Sequence, residues 1–147
     1  MTQHSRKPLA ELKLLATPDM IPTAKRTAAA LGSMIGFSLE DLDELNIAVA
    51  QACDSAIETG RRNWGDEATL KLSFWSTERG LEVDVQALPG RQTAVATTHH
   101  TPSPAVRRRE DALDRLAQDM IRCFVDDFRP TIAPNRVRFR MVKYLIG

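Results

Sequence analysis

Little in this sequence suits an exported or metal-stapled protein. Its 147 residues include only 2 cysteines. Cys53 and Cys123 sit singly in patterned apolar segments, without the spacing of a metal knuckle or a disulfide framework. Both read as reduced, buried core residues. No run approaches the ~18 apolar residues a membrane-crossing helix needs. The opening stretch from Met1 to Ala10 is polar, carrying His4, Arg6 and Lys7 with no apolar segment behind them. The expectation is a cytoplasmic chain that does not engage a membrane. An excess of one charge is missing too: 20 basic against 19 acidic residues leave a formal charge of +1, so no global field attracts nucleic acid. With aromatics at 5%, an aromatic platform for stacking bases is also lacking.

What is present is enough apolar residue, 43% of the chain, for one buried core. Residues 1–10 are expected to form a disordered segment and residues 11–147 a single domain. Glu11 to Thr17 alternates as a strand, with Leu12 and Leu14 on one side. Thr17-Pro18-Asp19 then opens a helix in which Met20, Ala24, Thr27, Leu31, Met34 and Ile35 recur at helical spacing, with Pro22 in the first turn. After Gly36-Phe37, Ser38 and Asp41 form a capping pair. A second helix follows to about Thr59, its stripe drawn by Leu42, Leu45, Val49, Ala52 and Ala56.

Residues 61–66 read as a turn. Thr69 to Trp75 and Leu81 to Leu88 then form an antiparallel hairpin closed by Thr77-Glu78-Arg79-Gly80. Periodicity disappears over about residues 89–108, a lid-like loop. A third helix runs from about Glu110 to Asp127, with Leu113, Leu116, Ala117, Met120, Cys123 and Phe124 expected on its buried face. Ile132 lies in a candidate short strand, and Arg136 to Leu145 alternates as a half-buried closing strand. This order describes an α/β two-layer sandwich (α+β), with helices on one face of a mixed, mostly antiparallel sheet.

The run from Leu42 to Ile57 (LDELNIAVAQACDSAI) resembles the second helix of the anti-sigma-factor serine kinases, members of the GHKL ATPase superfamily that includes sensor histidine kinases and gyrase B. Arg140 to Leu145 (RMVKYL) resembles the family's last strand. The resemblance implies a GHKL ATPase-like domain that dimerises, holds a sigma factor, and switches to an anti-sigma-factor antagonist whose serine it phosphorylates with ATP and Mg.

Three motifs build the nucleotide site in that family, and each is altered here. A Glu and an Asn four residues apart on the second helix serve as base and Mg ligand; their places are held by Gln51 and Ser55. An amide has no proton affinity for a base to use near neutral pH. Ser55 is a weaker oxygen donor, and Asp54, about 100° around the helix, reaches the metal position only with a shifted geometry. The adenine-reading Asp-x-Gly is replaced by Ala87-Leu88-Pro89-Gly90, where Gly90 serves if the register moves by one. The glycine turn that cradles phosphate at the third helix is replaced by Val106 to Ala112. Arg107, Arg108 and Arg109 offer side-chain phosphate ligands there, opposed by Glu110 and Asp111.

Other features carry bland readings beside the sharp ones. His99 and His100 without a third ligand are solvated side chains rather than a metal site. Met20 and Met34 match a helix core. Arg136, Arg138 and Arg140 lie on one strand face and fit either a ligand surface or a charge-guarded edge. The leading expectation is an anti-sigma-like regulatory module that binds a sigma factor and an antagonist, with ATP binding weak or lost. The alternative is an ATP- and Mg-dependent serine/threonine kinase acting on that antagonist. Nucleic acid binding through the arginines comes third.

Overall fold

A computed structural model describes residues 7–90 and 102–145. The expected N-terminal segment lies largely outside these residues, as do His99, His100 and the middle of the expected loop. The elements run β1 (Ala10–Leu15), a 3-10 turn (Pro18–Met20), α1 (Ile21–Ile35), α2 (Leu39–Trp64), a second 3-10 turn (Gly65–Glu67), β2 (Thr69–Ser76), β3 (Gly80–Leu88), α3 (Pro104–Phe124), β4 (Asp127–Ala133) and β5 (Arg136–Tyr144).

Local chemistry explains the helix boundaries. Pro22 occupies the first turn of α1, where no N–H is needed. Gly36 ends α1 at φ +100°, a backbone shape L side chains resist, and its own N–H and that of Phe37 close onto Ser33 and Gly32 carbonyls. Ser38 Oγ then accepts from Asp41 N at 3.1 Å, capping α2. The predicted turn at residues 61–66 is overturned in part: α2 continues through Arg61, Arg62 and Asn63 to Trp64, and Gly65, at φ +76°, breaks it. The indole of Trp64 holds that end by donating to the Pro134 carbonyl at 3.0 Å.

The five strands form one sheet in the order β1-β2-β3-β5-β4, and each neighbouring pair is antiparallel. The sheet, expected to be mostly antiparallel, is antiparallel at every strand pair among the described residues. Pro130 lies in edge strand β4, where a missing N–H breaks no inner ladder. Leu70, Leu72 and Phe74 of β2, Val83, Val85 and Ala87 of β3, and Val137, Phe139 and Met141 of β5 are buried on one face. They pack with Ala24 and Ala28 of α1 and with Leu45, Val49, Ala52, Cys53, Ala56 and Ile57 of α2. Each large side chain removed from water there contributes about 1.5–3 kcal/mol.

Polar residues alternate onto the opposite face, and several are paired rather than exposed. Asp84 is 1% exposed beneath Arg138, whose Nη2 stands 2.7 Å from its carboxylate. Arg140 faces Glu82 at 4.0 Å. The strand-face arginines are thus partly neutralised by β3 acids, which strand alternation within one segment cannot reveal. Lys143, on the same strand, lies on the core face with Met141 and is buried. It is satisfied by Glu44 Oε2 at 2.8 Å and by the Phe124 carbonyl at 3.0 Å.

The third helix departs most from expectation. It starts at Pro104, capped by Ser103 Oγ accepting from Val106 N, so Arg107, Arg108 and Arg109 are helical rather than in a loop. Its one fully buried residue is Ile121; Leu113, Leu116, Met120 and Cys123, expected inside, are exposed. Met34 is likewise exposed on α1. These helices lie at the edge of the layer, and amphipathic periodicity shows that a face is apolar without showing that anything covers it.

Candidate functional site

A cleft of about 330 Å³ runs between α2 and α3. Gln51, Asp54, Ser55 and Glu58 form its α2 wall, which is one helical face because residues three, four and seven apart align. Leu113, Asp114, Leu116, Ala117 and Met120 form the α3 wall.

Two latches hold the walls. In the N-terminal half of α3, towards its middle, Arg62 reaches from the last turns of α2 to Asp114 at 3.0 Å and to Glu110 at 3.1 Å. Burial works against the Arg62 charge, but Asp114 and Glu110 outweigh it and raise its pKa above the ordinary value. At the other end, the Lys143 ammonium meets the Phe124 carbonyl, at the negative pole of α3. Arg122 also lies 5.2 Å from the centre of the Phe128 ring.

Inside the cleft, Gln51 Nε2 donates to Ser55 Oγ at 3.2 Å, so the two substituted positions of the helix motif bond to one another. Asp54 and Glu58 are exposed and form no ion pair among the described residues. The structure brings Gln51, Asp54 and Ser55 into one cleft. Gly90 and Arg107 do not line it. Gly90 backs onto Glu67, where a Cβ would run into the Glu67 carbonyl. Arg107 lies on the exposed first turns of α3.

A magnesium nucleotide would need a base, cationic or N–H donors for phosphate, and room for adenine. The cleft lining supplies the Gln51 amide and the carboxylates of Asp54, Glu58 and Asp114, with no lysine or arginine. Ala87, at the end of β3, is fully buried, and a Cβ on Gly60 of α2 would stand 3.3 Å from it. The Val106 N–H in the opening turn of α3 is taken by Ser103. Among the described residues, no cluster of His, Cys, Asp and Glu is arranged to hold a metal ion. Among the described residues, the lining of this cleft places no cation for the phosphates of such a ligand.

Glu58 and Arg62 were not singled out from sequence. Glu58 follows Asp54 by one helical turn and was detectable by that spacing. Arg62 is hidden in the sequence because the apolar stripe that marks α2 runs only to about Thr59.

No protein-family model matches the chain. Curated relatives do. Serine-protein kinase RsbW of Bacillus licheniformis is 28% identical over 75 residues, covering 51% of this chain and 47% of that protein. The protein of the same name from Bacillus pumilus is 28% identical over 78 residues, with 52% and 48% covered. That from Bacillus velezensis is 29% identical over 75 residues, with 51% and 46% covered. The chain spans about half the length of the curated relatives it matches. With its α+β sheet and helix layer, the chain is similar to the serine-protein kinases RsbW, the anti-sigma-factor kinase type to which its second helix and closing strand point.

Proposed function

We propose that this chain is a regulatory protein-binding module of the anti-sigma type, acting by contact with a sigma factor and an anti-sigma-factor antagonist, with weak or no ATP binding. The observation carrying this reading is the cleft lining: Gln51 is bonded to Ser55 where the family resemblance implies a base and a metal ligand, beside Asp54, Glu58 and Asp114. Asp114 is paired with Arg62, and the carboxylates of Asp54 and Glu58, which form no ion pair among the described residues, repel a triphosphate. The named relatives support the regulatory role, and the chain's match to half their length supports a shared scaffold.

Calorimetric titration with ATP and ADP, with and without Mg, tests the nucleotide part. No binding heat is expected at millimolar nucleotide; micromolar, Mg-dependent binding would overturn that part. A second titration with a purified sigma factor tests the binding role, where saturable heat is expected and its absence counts against it.

The second reading, a serine kinase with a remodelled site, is favoured by the relatives' names and by Asp54 and Ser55 sharing the cleft. It requires transfer of the ATP γ-phosphate to a serine of the antagonist, and mass spectrometry of the antagonist after incubation reads it directly.

A further inference from the structure

We infer that the groove between α2 and α3 docks an amphipathic helix of a protein partner, with basic residues along the flank that faces α2. This rests on the reading of the chain as a protein-binding module and specifies the chemistry of what it binds.

The first observation is the exposed stripe of α3. Val106, Leu113, Leu116 and Met120 are 43%, 59%, 60% and 42% exposed. With Arg109 and Cys123 they recur at alternating three- and four-residue steps, the seam spacing of helices that pack along their length. A surface helix ordinarily turns such a stripe inward. Here the inward line runs through Asp114 and Ile121 instead, because Arg62 anchors Glu110 and Asp114 to α2. The stripe therefore stands uncovered among the described residues.

The second observation is charge. Asp54 and Glu58 stand on the α2 wall, one helical turn apart, and neither has a cationic partner among the described residues. Two Lys or Arg residues four apart on a docked helix match that separation. A second copy of α3 fits less well, since it would set Arg109 of each copy against apolar side chains or its twin, leaving a guanidinium unpaired in the interface. A separate partner is free to place an acid there.

The test uses a labelled synthetic helix of ~18 residues, the length of the stripe at 1.5 Å per residue. It carries Leu at the seam positions and Lys on one flank, and is titrated against the full chain by fluorescence anisotropy. A twin peptide carries Glu in place of Lys and is expected to bind ~10-fold or more weakly, with the difference shrinking in high salt. Leu116→Asp is expected to abolish binding of both, and Asp54→Lys with Glu58→Lys to reverse the preference. These positions are exposed or at the cleft rim, and circular dichroism checks that each variant folds. Equal affinity for the twins, or no binding of either, overturns the inference and leaves the sigma-factor titration to judge the wider reading. Sedimentation showing a wild-type dimer that Leu116→Asp dissociates would also overturn it, assigning the groove to a second copy.

Discussion

The thiol of Cys53 lies on the inward face of α2, where burial, reinforced by the neighbouring Asp54 carboxylate, pushes its pKa up to about 12. Its ordinary value is 9.0. Well below pH 9 the thiol is neutral in both folded and unfolded chains and has no pH-linked effect. As pH rises from there towards 12, the unfolded thiol loses its proton and the folded one does not, so stability falls. The slope approaches about 1.4 kcal/mol per pH unit for one proton. Urea titrations at pH 8 and pH 10 are expected to show a smaller loss in Cys53→Ala than in the parent chain. Cys123 is exposed, and at neutral pH a thiol reagent should label it rapidly while Cys53 reacts only on unfolding. Equal labelling rates would contradict the burial of Cys53. Asp84 offers a separate residue-scale test. Asp84→Ala removes the acid beneath Arg138 and is expected to cost ~2–4 kcal/mol in denaturant titration, since it leaves a part-buried guanidinium unpaired.

At the scale of elements, α3 depends on polar contacts more than on burial. Arg62→Gln leaves Glu110 and Asp114 together without their shared cation, and the expected loss is ~1–3 kcal/mol, since all three side chains retain some exposure. A loss of that size confined to α3, read from its amide signals, would identify the latch; no change would show that Ile121 and Phe124 suffice. Helix α1 and the start of α2 were legible in sequence because Pro22, Gly36 and Ser38 act through local backbone chemistry, whereas the last turn of α2, past Thr59, was not. The β2–β3 hairpin was legible from its alternation and short connection. The bounds of α3 were not, because Ser103 with Pro104 is a helix start inside a stretch whose composition reads as loop. Which side of α3 turns inward was not legible either, because Arg62 lies 52 residues from Asp114 and decides it by tertiary contact.

Across the whole molecule, the sheet separates two chemistries. Its helix-covered face is apolar, apart from Lys143, and its other face is held by ion pairs such as Asp84 with Arg138. The substitutions at Gln51 and Ser55 were visible in sequence, but their mutual hydrogen bond and their shared cleft with α3 needed the fold. Among the described residues, no helix is long and apolar enough to cross a membrane.

The two latches of α3 also give it a life apart from the sheet. A helix held by Arg62 towards its middle and by Lys143 at its C-terminal end, with Ile121 as its sole fully buried residue, can open locally without melting the core. Deuterium should therefore enter the amides of α3 well before those of β3 or α2. Added salt should quicken α3 selectively, because it screens the partly exposed Arg62 pairs and leaves the apolar layer intact. Ionic strength then becomes a local control on how firmly one wall of the cleft is held.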